Sequence, residues 1–204
     1  MKKKAKAEID LSTEEKIKEA ARKVFTRKGY AATRTRDIAE EAGLNLALLN
    51  YYFRSKSKLF EMIMAEKMQQ FFGFMLPVIN NADTSVQEKV ELITSKYMEL
   101  LMENPDLPYF VLSEIRNTPD YFMKITDSGN FLSKSIFIRQ IREKAPGRNP
   151  FHYLINLLGM CVFPFIMNPV LQKMGALDEK TFAKMMKERK TLIPAWIKSM
   201  LEED

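Results

Sequence analysis

Apolar residues recur every three or four positions along nearly the whole of this chain, and that period points to one class of fold. Ile17, Ala20, Ala21, Val24 and Phe25 lie on one helical face, as do Leu59, Phe60, Ile63 and Met64. Phe182, Met185, Met186, Ile193, Trp196, Ile197 and Met200 carry the same spacing towards the C-terminus. Glycine, with 7 positions in 204, seldom interrupts it. The expectation is an all-α protein, large enough to bury a sizeable core.

Caps and breakers place the boundaries. Ser12 and Glu15 have capping-box spacing for a first helix that Gly29 ends. A second helix is expected over Thr35 to Ala42, closed by Gly43 in the left-handed conformation. A third is expected over Leu46 to Tyr52 behind an Asn45 cap, and a fourth from Ser55 to Phe74, ahead of Pro77. Further helices are expected over 84–103, 106–117, 120–143, 151–168 and 178–201, with Pro164 and Pro194 kinking or interrupting the last two.

The charge is unevenly placed. Residues 1–64 hold 15 Lys and Arg against 9 Asp and Glu, and residues 65–204 hold 17 of each. The whole excess of +6 therefore sits in the first third. A basic segment joined to a neutral one fits an anion-binding module followed by a second module with other work.

Several function classes find no support. There is no Gly-rich phosphate loop, no cluster with metal-ligand spacing and no nucleophile–His–carboxylate set, so neither enzyme activity nor a cofactor or metal is expected. His152 reads as a hydrogen-bonded structural residue and Cys161, the single cysteine, as an inert core thiol. One cysteine permits no internal disulfide, in keeping with a reducing, cytoplasmic setting. The basic N-terminus has no apolar run behind it, and the apolar segment 157–167 is short and proline-broken, so no membrane partner is expected.

The stretch "EEAGLNLALLNYYF" at 40–53 carries the functional signal. A helix, a glycine turn and a short second helix make a helix-turn-helix, in which Ala39 allows close approach, Gly43 turns the chain, and Leu49 with Phe53 pins the second helix. Leu46, Ala47, Asn50 and Tyr51 are then turned outward, able to enter a major groove, with Arg36 close on the preceding helix. Thr33, Thr35, Tyr52 and Lys56 are expected at the phosphates, together with the third helix's N-terminus at Asn45.

Residues 11–65, through "AARKVFTRKGYAATRTRDIAEEAGLNLALLNYYFRSKSKLF", resemble the DNA-binding domain of the TetR/AcrR family of bacterial transcriptional regulators. Phe25, Gly29, Thr33, Ile38, Ala39, Ala42, Gly43, Tyr52, Phe53, Lys56 and Leu59 carry the likeness. The chain departs from the family pattern at Arg34, where a capping Ser or Thr is usual, at Ala47, often Gly, and at Asn50, often a phosphate-touching Tyr. Arg34 would then exchange a cap for a charge contact.

The resemblance implies a three-helix DNA-binding domain over 11–65 and a larger helical bundle over 66–204 that dimerises and takes a ligand. It implies a cytoplasmic homodimeric repressor on double-stranded DNA with a palindromic operator, released by a small-molecule effector. The resemblance does not reach pocket residues, which must be read directly. Met68, Phe71, Met75, Met98, Met102, Phe110, Phe131, Phe137 and Met160 fall at helical spacing, either as plain core or as the lining of an adaptable apolar cavity, with Tyr97, Tyr109 and Asn156 as polar contacts. Leu154, Leu158, Val162, Phe165, Phe182, Met186, Ile193, Trp196 and Ile197 are candidates for a four-helix interface between subunits. The competing function is a helical carrier protein whose basic N-terminus docks on another anionic surface.

Overall fold

The structure, a computed structural model, describes residues 2–117, 119–126, 132–175 and 177–202, leaving aside the side chains of 2–12, 121, 122, 125 and 126. It contains no strand among the described residues, and divides into two compact units, Met1–Glu66 and Lys67–Asp204.

In the first unit, α1 (Lys2–Ala32) starts well before the expected cap, and Ser12 lies inside it. "KKKAKAEIDL" is rich in strong helix formers and holds neither Gly nor Pro, so nothing stops the helix there. Glu15 instead accepts a hydrogen bond from Arg22 Nη1 at 2.8 Å. Gly29 breaks the helical course at φ 73°, ψ 164°, a region open in practice to glycine alone. The helix-turn-helix follows as α2 (Thr35–Glu41) and α3 (Leu46–Phe53). Between them Gly43 takes φ 66°, and the Leu44 N–H reaches back to the Ala39 carbonyl at 2.9 Å, which satisfies an end-of-helix acceptor. Asn45 caps α3 by accepting the Leu48 N–H at 2.8 Å.

α4 (Lys56–Asn80) begins behind Ser55, whose hydroxyl accepts the Lys58 N–H at 3.1 Å. It runs past Phe74 and through Pro77, since burial of Met75 and Ile79 on either side of the proline outweighs one lost backbone hydrogen bond. Within the first unit, Ile17, Val24, Ile38, Leu49 and Leu59 are fully buried. Phe25, Tyr30 and Phe60 form a ring cluster, with Tyr30 and Phe60 centroids 4.5 Å apart. At its other end Glu66 accepts from Lys18 at 3.0 Å and Arg22 at 2.7 Å, tying α1 to α4.

The second unit continues α4 and adds α5 (Val86–Glu103), α6 (Leu107–Asn117), α7 (Pro119–Thr126), α8 (Ile136–Lys144), α9 (Phe151–Lys173) and α10 (Glu179–Glu202). The single helix expected over 120–143 is two. α8 begins afresh at Ser135, whose hydroxyl accepts the Ile138 N–H at 3.2 Å. α5 lies centrally, packed on α8, α9 and α10. Its capping box pairs Ser85 with Glu88, and the neighbouring Lys89 is wholly buried, its ammonium donating to the Thr84 hydroxyl at 2.8 Å and to the Thr84 carbonyl. That desolvation pulls the Lys89 pKa down.

α9 is longer than expected and passes through both Pro164 and Pro169. Pro164 has no N–H for the Met160 carbonyl four residues back. Arg189 Nη2, from α10, supplies that carbonyl's hydrogen bond at 2.9 Å. By length and composition, with a mean hydropathy of 1.9, this helix is apolar enough to cross a membrane. Its Tyr153, Leu157, Cys161 and Phe165 stripe is instead buried in a bundle with α5, α6 and α10.

Candidate nucleic-acid interface and apolar groove

α3 is short, so its register matters more than its own stability. Leu49 and Phe53, four apart, are buried and fix which way it faces. Ala47, Asn50 and Tyr51 are exposed on the opposite side, with Leu46, Leu48 and Tyr52 half-buried at the margins. Tyr51 is 78% exposed and meets only the edge of Tyr52, at 5.4 Å between centroids. A large aromatic held this far out of a core does nothing for packing and offers a phenol and a ring face to a partner.

Three arginines flank that face in the chain, Arg34, Arg36 and Arg54, all exposed. At α2 the cap is reversed from the usual arrangement. The Arg34 backbone N–H donates to Asp37 Oδ2 at 2.8 Å, and Lys28 meets the same carboxylate at 3.1 Å. These two contacts, the amide first, hold the Asp37 carboxyl below the usual range, and the Arg34 side chain is left outward. Arg54 was not singled out from the sequence. Its φ of 54° and ψ of −38° are the one left-handed backbone among the described non-glycine residues, with the Ser55 N–H turned back to the Phe53 carbonyl in a γ-turn. The turn sets a guanidinium at the end of α3. The available signal was a basic residue wedged between the last aromatic of α3 and the Ser55 cap.

Two of the expected phosphate contacts are engaged inside the fold. Thr33 is buried and its hydroxyl donates to the Gly29 carbonyl at 2.7 Å, so it offers no side chain to a partner. Lys56 donates to the Tyr30 and Thr33 carbonyls at 2.8 and 2.9 Å and lies 4.2 Å over the Tyr30 ring. The Tyr30 carbonyl also accepts the Thr33 N–H, at 3.3 Å, and the ammonium joins it to the Thr33 carbonyl across the turn, a compact way to serve two acceptors at once. Lys56 and Thr33 therefore shape the α1–α2 connection. Thr35 is half-buried at the first turn of α2, and Asn45 is exposed with its oxygen occupied by the cap.

Residues 17–63 match the model of the bacterial regulatory proteins of the tetR family. Over 200 residues, 94% of this chain and 95% of the relative, the sequence is 26% identical to the probable HTH-type transcriptional regulator YttP of Bacillus subtilis. These likenesses support a TetR/AcrR family regulator. A stretch of 102 residues, 50% of this chain and 52% of the relative, is 30% identical to the fatty acid metabolism regulator protein of the same organism. The solved structure of the transcriptional regulator FadR from Bacillus subtilis in complex with stearoyl-CoA has the same fold, with a TM-score of 0.56 at 21% identity over 92% of this chain and 95% of that one.

The second unit of this TetR-type chain holds an apolar groove of about 770 Å³ between α9 and α10. Ile155, Gly159, Met160, Phe163, Pro164 and Met167 line one wall, and Met185 and Arg189 the other. Of the residues read from the sequence as a pocket, Met160 and Asn156 line this groove. Met68, Met75, Tyr97, Met98, Phe110 and Phe137 are buried in the packed core, as is most of Phe71, which stacks on Tyr97 at 4.6 Å and edges a small polar cleft of about 200 Å³. Met102 is half-buried, Tyr109 is exposed and donates to the Ile166 carbonyl at 3.2 Å, and Phe131 lies outside the described residues. The helical spacing that suggested a cavity is here the spacing of core packing.

The interface candidates divide in the same way. Phe165, Phe182, Met186, Ile193 and Ile197 are buried within the chain's own core, where α10 packs on α5 and α9, and are not available to a second subunit. Leu158 and Trp196 are exposed, and Leu154 and Val162 half-buried. Phe151, Ile155, Phe163, Val170 and Leu192 join Leu158 and Trp196 as exposed apolar groups on α9 and α10. Cys161 is buried, which pushes its thiol up to about 12 and keeps it protonated and unreactive at neutral pH. His152 is exposed beside a hollow with Arg148, Asn149 and Tyr153, and no metal-binding cluster occurs among the described residues.

Proposed function

We propose that this chain is a homodimeric repressor that reads a palindromic operator with α3 and leaves it when a small, mostly apolar ligand binds the second unit. The observation that carries the reading is the outward face of α3: Ala47, Asn50 and Tyr51 exposed on a helix locked from behind by Leu49 and Phe53. Asn50 suits an adenine edge, while Leu46, Ala47 and the Tyr51 ring suit thymine methyls, with Arg36 assisting. Arg34, Thr35, Tyr52 and Arg54 take phosphates, and Lys56 holds the scaffold that aims them. The family match favours this reading over a carrier that docks on some other anionic surface.

Dimerisation uses the exposed residues of α9 and α10, Phe151, Ile155, Leu158, Phe163, Leu192 and Trp196, because apolar groups of that size on two adjacent helices are costly to leave in water. A ligand is supported by the likeness to a regulator solved with stearoyl-CoA. The test is selection of bound fragments from genomic DNA, followed by the mass of the complex on the recovered site. The expected outcome is an inverted repeat holding two chains. Equal affinity for recovered and random fragments, or one chain per site, would overturn the proposal.

A further inference from the structure

The outer ridge of α9 alternates large and small. Ile155, Gly159, Phe163 and Met167 stand four residues apart, on one inclined row of the helix. Ile155 is 64% and Phe163 59% exposed, and Gly159 between them is exposed as well. Neither a turn nor a close contact inside the chain calls for glycine there. Its φ is not positive, and a Cβ added to it would meet nothing within 4 Å. Glycine in a helix interior is less favourable than alanine by about 1 kcal/mol, so the position needs another reason. Its effect is a hole in the wall of the apolar groove between α9 and α10. The opposite wall is already fixed: Arg189 is held by its bond to the Met160 carbonyl at 2.9 Å and by the Trp196 ring, 5.2 Å away.

Charge cannot set how a second copy docks on this ridge. α9 carries no Asp, Glu, Lys or Arg from Phe151 to Gln172. Shape remains, and the shape is self-complementary. A two-fold axis crossing the ridge midway between Gly159 and Phe163 sets large against small on both sides of it.

We propose that two copies of this chain join in a single register, the Phe163 ring of each filling the hole above Gly159 of the partner subunit. In that register Ile155 lies opposite the partner's Met167, whose flexible thioether adapts to it. Each groove is incomplete alone, and the second copy supplies the ring that fills it. A helix with a side chain in place of Gly159 would not fit, so the same contact selects this chain over other apolar helices. This deepens the dimer reading above, on which it rests, by naming the contact that sets the register.

The test measures the dimer dissociation constant of the full-length protein by sedimentation over a range of concentrations, in the absence of DNA. Circular dichroism checks that each variant keeps its helices. Gly159→Leu fits its own chain and favours the helix, yet it is expected to weaken the dimer by at least about a hundredfold, because the clash occurs twice. Phe163→Ala, at an exposed position, is expected to weaken it by about tenfold or more. The double variant Gly159→Leu/Phe163→Ala exchanges hole and filler. It is expected to dimerise at least about tenfold more tightly than Gly159→Leu alone. An unchanged dissociation constant in Phe163→Ala would overturn the proposal, whether or not Gly159→Leu folds. So would a double variant no tighter than Gly159→Leu, since Gly159 would then face Gly159 of the partner subunit. Either result leaves the dimer itself standing. A natural protein that stays monomeric at every concentration would instead overturn the dimer reading, and this register with it.

Discussion

The first and second units are built from the same material, amphipathic helices with buried Leu, Ile, Phe and Met, yet they differ in how position and chemistry are linked. In the first unit nearly every turn depends on a named group. Gly29 and Gly43 supply backbone that other residues resist, Asn45 caps α3, Asp37 takes the Arg34 amide, and Lys56 closes the α1–α2 connection. In the second unit long helices run through prolines, and their positions depend on which of several apolar faces is buried. Local chemistry specifies orientation closely enough to aim side chains at a partner, whereas packing alone tolerates many solutions.

That contrast is broken or sharpened first by core truncation. Leu49→Ala is expected to cost about 3 kcal/mol and to abolish specific DNA binding, since it removes the group that sets the register of α3. Met186→Ala, equally buried in the second unit, is expected to cost a similar amount, about 3 kcal/mol, while the molecules that remain folded keep their operator affinity. Urea unfolding by circular dichroism, set beside operator titrations, gives both quantities. If Met186→Ala damaged DNA recognition as severely as Leu49→Ala, the division of labour would be wrong.

A smaller effect distinguishes the two roles available to Lys56. As a clip on the Tyr30 and Thr33 carbonyls, its replacement by Met is expected to lower stability by about 2 kcal/mol and leave the salt dependence of DNA binding unchanged. As a direct phosphate contact, the same change would leave stability alone and reduce the log–log salt slope by about 0.9. Thermal unfolding and affinity measured at several salt concentrations separate these outcomes.

The difference between the units also explains what was legible in the sequence. The helix-turn-helix could be read to within a residue or two because its glycines and its asparagine cap act locally, through conformations that few other residues adopt. The outward face of α3 followed from the spacing of Leu49 and Phe53. The hydrogen bonds of Thr33 and Lys56 were not legible because their partners are backbone carbonyls, which no side-chain pattern announces. Arg54 was passed over because its one signal, a basic residue between the last aromatic of α3 and the Ser55 cap, does not announce a positive φ. In the second unit, α9 is apolar on all sides, so spacing alone could not tell the buried stripe of Tyr153, Leu157, Cys161 and Phe165 from the exposed Ile155 and Phe163. The break between α7 and α8 was lost for want of weight on Ser135, and the run of α9 through Pro164 depends on Arg189, 25 positions further along the chain.

The most direct test of the central claim, that the outer face of α3 reads base sequence, is the ratio of affinities for operator and random DNA in Asn50→Ala and Tyr51→Ala. Both side chains are exposed, so stability is expected to change by no more than about 0.5 kcal/mol. Each substitution is expected to lower operator affinity by about 1–3 kcal/mol, with the loss confined to particular base pairs and random-DNA binding kept. An equal fall on operator and random DNA, or no fall on either, would contradict the assignment of this face to base reading.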